Sequence, residues 1–75
     1  MSMGTVVALG EATQTSGFAL AGVSVRPAEA PESVRAVWQE LPDDVALVIL
    51  TPAAAAALGP DVLNAPRPLT VVMPP

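Results

Sequence analysis

The sequence predicts a doubly wound α/β domain with a four-stranded parallel sheet and helices on both faces. Its central feature is the apolar run Val45–Leu50, which lies between Asp43-Asp44 and the breaker Thr51-Pro52. Such a run is typical of a strand buried on both faces inside a parallel sheet. Short β-branched runs also alternate with helical segments along the chain, and this alternation indicates strands joined by crossover helices.

Length and composition predict a single domain, residues 1–75. A chain of this size buries only about 60% of its unfolded surface, so its stability is expected to be marginal without a partner. The residues are 52% apolar and only 13% charged. Because the chain has so few charged residues, we expect part of its apolar surface to be covered by another protein.

The charge and residue inventory excludes several classes of function. Three basic residues stand against seven acidic ones, a net charge of −4, which lacks the cationic footprint needed for nucleic acid. Cysteine and histidine are absent, which excludes thiol chemistry, disulfides, zinc sites and histidine-based catalysis. No apolar run approaches the roughly 20 residues that span a bilayer, so we expect a soluble, cytoplasmic chain without direct membrane insertion.

The first strand is predicted at Thr5–Leu9, ending at Gly10, after a loose lead-in at Met1–Met3. The chain then turns at Glu11–Gln14, with Thr13 as the expected N-cap of a short helix.

That helix carries Ser16–Ala21 and is predicted to end at Gly22 in a left-handed conformation. Gly17, inside it, predicts a close approach to the sheet or to a partner, because glycine costs a helix about 1 kcal/mol relative to alanine. An edge strand is predicted at Val23–Arg26, blunted by Pro27.

The second helix opens at Pro31 and Glu32 and shows the clearest helical periodicity in the chain. Its apolar stripe, predicted to face the core, consists of Val34, Val37, Trp38 and Leu41. Trp38 could also anchor a partner, but its place in the stripe favours core packing.

The third helix is predicted to begin with Thr51 as N-cap and Pro52 at its first position. It runs through five alanines to Leu58 and stops at Gly59-Pro60, after which one further turn and a loop lead to a last strand at Leu69–Met73. Right-handed crossovers between these elements predict a doubly wound parallel sheet. The expected strand order is 2-1-3-4, which places the first and third strands, the two most apolar, in the middle.

Ligands of doubly wound sheets bind beyond the carboxyl ends of the strands, which here places a candidate site at Gly10–Thr13 and Thr51-Pro52. A phosphate-accepting receiver domain would need an acidic residue where Thr51 stands, and a lysine that the chain lacks. Glu11 alone offers too few ligands for Mg²⁺. The glycines form no nucleotide-binding motif, so neither a cofactor, a metal nor a catalytic site is expected.

A signalling role remains as an alternative, either as a degenerate, receiver-like domain or as a phospho-switch with Ser16 or Thr51 as the phosphorylated hydroxyl near a helix N-terminus. Capping or surface hydroxyls are the commoner interpretation of such residues.

The first third of the chain carries a recognisable pattern. Gly10-Glu11 is followed by five residues and then by Gly17-Phe18-Ala19-Leu20-Ala21-Gly22-Val23. The stretch from Val6 to Val25 resembles the start of the F subunit of V-type ATP synthases, called A-type in archaea. The second helix, Val45–Leu50 with Thr51, and Leu69–Met73 resemble the rest of that family's globular part.

The resemblance implies a small Rossmann-like, receiver-like domain without catalysis of its own, in the central rotor stalk. It implies the long coiled-coil D subunit and the catalytic A/B hexamer as partners, and a role in coupling ion or hydrogen ion transport to ATP synthesis or hydrolysis. The expected location is cytoplasmic, peripheral to the membrane through the ATPase complex. The interface residues that we predict are Glu11, Thr13, Thr51, Pro52 and Met73.

Two departures from the family pattern change these expectations. Family members usually have a second acidic residue two positions after the first, where this chain has Thr13. They also continue past the last strand into a mobile C-terminal tail, whereas this sequence ends at Pro75. A short form that docks on the stalk without the regulatory reach of the tail is therefore expected, or else a truncated reading frame.

Overall fold

The computed structural model describes residues 4–74, apart from the side chains of Leu20 and Ala21, and contains one sheet of four parallel strands. The predicted lead-in Met1–Met3 lies outside the described residues. The strands are β1 (Thr5–Gly10), β2 (Ser24–Pro27), β3 (Val45–Leu50) and β4 (Leu69–Val72). Their order is β2-β1-β3-β4, which confirms the predicted doubly wound topology with the two most apolar strands in the centre.

The connections between the strands are short helices, none of which, in the described part of the chain, is long and apolar enough to cross a membrane. They are α1 (Ala12–Thr15), a 3-10 helix (Ser16–Ala21), α2 (Pro31–Glu40), α3 (Pro52–Leu58) and α4 (Pro60–Leu63). The predicted start of α3 is confirmed, since Thr51 is its N-cap and Pro52 its first residue. The single turn expected after Gly59-Pro60 is α4.

The first crossover differs from its prediction in two respects. Thr13 is not an N-cap: α1 begins at Ala12 after an extended Glu11, and Thr13 is exposed within the helix. Ser16–Ala21 forms a 3-10 helix that ends, as predicted, at a left-handed Gly22 (φ 81°). A Cβ placed at Gly17 would meet no atom within 4 Å, so the expected close approach to the sheet is wrong, while an approach to a partner stays a prediction.

The main hydrophobic core lies on one face of the sheet, between the central strands and the pair of helices α2 and α3. Side chains at most 2% exposed supply its centre: Val7 and Leu9 of β1, Val48 and Leu50 of β3, and Val34 of α2. Ala54 and Ala55 of α3 are buried against them, and the rest of the predicted α2 stripe (Val37, Trp38 and Leu41) packs at the margin. The stripe therefore faces the core as predicted.

The opposite face of the sheet is only half covered. Ala8, which alternates with Val7 and Leu9 along β1, is 0% exposed, so the first crossover covers the β1–β2 half. In the β3–β4 half, Ile49 is partly exposed and its register partner Val71 is 51% exposed. The expectation that β3 is buried on both faces thus holds only in part: on the α2–α3 side Val48 and Leu50 are buried but Ala46 is exposed, and on the other side Ile49 is partly exposed.

Candidate functional site

The candidate site lies at the carboxyl edge of the two central strands, where β1 passes into Glu11 and β3 passes into Thr51. The backbone N–H of Thr51 donates to the carbonyl oxygen of Leu9 (3.2 Å), which aligns the two strand ends. Met73, which follows β4, donates its backbone N–H to the carbonyl oxygen of Leu50 (2.8 Å). Parallel pairing therefore brings Glu11 and Thr51 to one edge, as the sequence predicts, and Met73 lies beside them.

Thr51 is the centre of this edge. Its side chain is 0% exposed, and its hydroxyl donates a hydrogen bond to Oε1 of Glu11 (2.6 Å). The same Oγ1 accepts a hydrogen bond from the backbone N–H of Ala54 (3.2 Å), which satisfies one of the free donors at the start of α3. The hydroxyl is thus used once as a donor and once as an acceptor.

Gly10 is required by the same arrangement. Its φ of 153° lies in a region that favours glycine, and a Cβ placed on it would overlap the Thr51 side chain, lying 2.8 Å from Thr51 Cβ. Any larger residue would displace Thr51 from the position in which it reaches Glu11. The glycine at the end of β1 therefore permits close approach of the two strand ends.

The electrostatics of Glu11 reflect its contacts. The hydrogen bond from Thr51 is the largest cause that holds the pKa of Glu11 below its usual value, and a backbone hydrogen bond at Glu11 acts in the same direction. Both bonds favour the ionised carboxylate, while desolvation opposes them. Glu11 is consequently a charged acceptor at neutral pH.

A hydroxyl bonded to a carboxylate has the composition of a nucleophile and its base, but in the structure this hydroxyl is not exposed. Oγ1 of Thr51 is buried, and the hydroxyl is directed between Glu11 and the start of α3. A reacting substrate has no approach to it. The described part of the chain also holds no group of three or more acidic side chains that could bind a metal ion.

The other predicted interface residues are at the surface of the same edge. Thr13 is exposed on α1, while Pro52 at the start of α3 and Met73 after β4 are partly exposed. Thr51 differs from them, because its side chain supports the edge from inside. Ser16, the second hydroxyl considered for phosphorylation, is exposed at the start of the 3-10 helix.

A separate cleft of about 670 Å³ opens at the other edge of the sheet, where β3 and β4 begin. Its lining includes Trp38, Pro42, Asp44, Arg67 and Leu69. The sequence did not predict it, because the rule for doubly wound sheets points to the carboxyl edge. Its lining carries both signs of charge, from Asp43 and Asp44 and from Arg67.

The hydrogen bond between Glu11 and Thr51 was also missed by sequence reasoning. Their positions in the sequence could have indicated it, because each residue directly follows a central strand. Two polar side chains at neighbouring strand ends can hydrogen-bond to each other.

No family model, curated protein or solved structure matches the chain.

Proposed function

We propose that the chain is a non-catalytic central-stalk subunit of a V/A-type ATPase or ATP synthase. In this role it docks on the coiled-coil D subunit and helps to couple ion or proton transport to ATP synthesis or hydrolysis by the A/B hexamer. Its place in the cell is then cytoplasmic, peripheral to the membrane through the complex. The proposal begins from the resemblance of Gly10-Glu11 and Gly17–Val23 to the F subunit pattern.

The observation that carries the proposal is the closed carboxyl edge. The two residues that occupy the usual catalytic position of such sheets, Glu11 and Thr51, are bonded to each other, and Thr51 is buried. Gly10, the first residue of the motif, has a structural role in that contact. At the switch point of this sheet the side chains hydrogen-bond to each other. This arrangement supports a docking role better than a catalytic one.

The surface around the closed edge offers places for a partner. Thr13 and Pro52 lie on the two helices that leave the central strands, and Met73 lies after the neighbouring strand. These are small or uncharged side chains with little conformational entropy to lose, apart from the flexible Met73, which adapts to uneven apolar surfaces.

For the alternative signalling role, one of the two hydroxyls remains a candidate for phosphorylation. Thr51 is unsuited to phosphorylation because its hydroxyl is buried and bonded on both sides. Ser16 is exposed and remains the candidate hydroxyl for a phospho-switch.

Co-expression tests the stalk role. The chain is produced together with the coiled-coil subunit encoded near it, and the complex is analysed by size exclusion with light scattering. We expect a stable one-to-one complex that Thr13→Arg weakens. Gln39→Arg, an equal change at an exposed site on α2, serves as the matched control and should leave the complex intact. If the chain elutes alone beside the coiled coil, the stalk proposal is wrong.

A further inference from the structure

Exposed apolar side chains are concentrated on one strand. Among the side chains that the structure describes, the exposed large hydrophobic ones are Leu69 (63%), Val71 (51%) and Val72 (43%), and all belong to β4. Leu69 and Val71 lie on one face of the sheet and Val72 on the other, because side chains alternate along a strand. This edge strand therefore exposes apolar side chains on both faces of the sheet.

The two edges of the sheet differ in how they are protected. On β2 the exposed residues include Ser24, Arg26 and Pro27, and a charge with a proline is a common device against pairing with another chain. The strand β4 has neither device, and no charged residue stands between Pro68 and Pro74. Of the two edge strands, β4 is therefore the less protected against pairing with another strand.

The hydrogen-bonding groups of β4 have a defined direction. The N–H of Met73 points into the sheet, toward Leu50. Since successive residues of a strand direct their backbone groups to opposite sides, Val71 also bonds inward, whereas the N–H and C=O groups of Thr70 and Val72 point outward. No strand of the described chain lies on that outer side.

From these three observations we infer that β4 is a homodimerisation edge, which pairs antiparallel with β4 of a second copy across a two-fold axis. The axis passes beside Val71, which faces Val71 of the second copy in a non-hydrogen-bonded pair. Thr70 lies opposite Val72 of the second copy, and Val72 lies opposite Thr70 of the second copy. Each of these two pairs exchanges two backbone hydrogen bonds. The result is a continuous sheet of eight strands, within the usual range.

A second copy fits this edge better than other occupants. A helix laid on one face would cover Leu69 and Val71 but leave Val72 and the outward backbone groups open. The antiparallel register is self-complementary, as a two-fold interface requires, and places only apolar residues and Thr70 together. Two chains of net charge −4 repel each other, and β4 carries no charge that would add to this repulsion at the interface.

The interface is small. One pair of four-residue strands buries less than the roughly 800 Å² per partner of a standard interface, so the dimer forms reversibly with rising concentration. This inference does not rest on the proposed stalk function, and the two are tested by different partners: a second copy here, the coiled coil there.

Disulfide trapping tests the register. The chain contains no cysteine, so Val71→Cys introduces a single thiol. In a non-hydrogen-bonded antiparallel pair the two Cα atoms are about 4.5 Å apart, within the range that a disulfide spans. Under mild oxidation we expect Val71→Cys to double in mass, while Ser24→Cys on the opposite edge strand stays monomeric. Equal cross-linking of both variants, or of neither, overturns the inference.

Sedimentation of the unmodified chain tests the equilibrium. We expect the average mass to rise toward twice the monomer mass with concentration, and Val71→Lys to abolish the rise by placing two like charges side by side. Ser24→Lys adds the same charge to the other edge and should leave the rise unchanged. Circular dichroism checks that both variants remain folded. A wild-type mass independent of concentration, or equal behaviour of the two folded lysine variants, contradicts pairing through β4.

Discussion

The hydroxyl of Thr51 donates a 2.6 Å hydrogen bond to the carboxylate of Glu11, forty residues earlier in the chain. This bond joins the carboxyl ends of the two central strands. The same Thr51 oxygen accepts a hydrogen bond from the N–H of Ala54 at the start of α3. One buried hydroxyl therefore fixes the relative position of three elements. Several consequences of this arrangement can be measured.

Replacing Thr51 tests the stabilising role of its hydroxyl. Thr51→Val keeps the shape but leaves the buried N–H of Ala54 without an acceptor and removes the N-cap, which together are expected to cost about 1–3 kcal/mol. The measurement is the free energy of unfolding in urea. Thr51→Ser retains the hydroxyl and is expected to lose clearly less. Equal losses for valine and serine would show that the methyl group, not the hydroxyl, is what matters.

The pKa of Glu11 gives a prediction about acid. Because the hydrogen bond from Thr51 lowers the pKa of Glu11 in the folded chain, its stabilising effect is present above the ordinary carboxyl value of 4.5 and disappears as the pH falls through the lowered folded value. Glu11→Gln keeps an oxygen acceptor but does not titrate. We expect the variant to lose less stability on acidification than the unmodified chain, in urea unfolding followed from neutral pH to below 4.5. Parallel pH profiles would contradict a coupling between Glu11 and Thr51.

Two glycines provide a matched pair. Gly10→Ala forces a Cβ into Thr51 at a φ of 153°, and we expect a loss of about 3 kcal/mol or more in thermal or urea unfolding, from strain together with a displaced Thr51. Gly17→Ala meets no atom within 4 Å and should be neutral or stabilising by up to about 1 kcal/mol. The reverse ranking would show that the 3-10 helix, and not the strand end, needs the glycine.

The features that the sequence predicts well are those set by local pattern. The apolar run Val45–Leu50 forms a central strand with the predicted bounds, and the α2 stripe faces the core. Both are predictable because an apolar run and a helical period are patterns of residues that are close in the sequence. Thr51-Pro52 opens α3 since capping chemistry is local. The strand order is predicted because the two most apolar strands, β1 and β3, are expected at the buried centre of a parallel sheet.

The features that the sequence does not predict depend on distant neighbours. Thr13 fits the pattern of an N-cap, but Glu11 takes that position while its carboxylate bonds to Thr51, a contact between strands that no local pattern encodes. The half-open face of the sheet, where Val71 is exposed, depends on how far a short crossover reaches. Gly17 has no close neighbour, although glycine inside a helix usually indicates one.

The rival signalling role predicts a covalent change that the stalk role does not. On incubation with acetyl phosphate or a cognate kinase, followed by intact mass measurement, we expect no stoichiometric phosphate on Thr51, since its hydroxyl is buried and bonded. Ser16→Ala is the control that identifies the exposed hydroxyl as acceptor if mass is gained. Full phosphorylation lost in Ser16→Ala would favour a phospho-switch over the stalk proposal.

The alanines of α3 differ in what they contact, although the sequence presents them as equivalent. Ala54 is 1% exposed and lies in the core beside the central strands, whereas Ala53 is exposed. Ala54→Leu must push α3 away from the sheet and is expected to cost about 1–3 kcal/mol, while Ala53→Leu should change the free energy of unfolding by less than about 0.5 kcal/mol. Urea unfolding of both variants measures the difference. If Ala54→Leu is tolerated as well as Ala53→Leu, α3 is free to shift, and the close contact between Thr51 and Ala54 does not hold the helix in place.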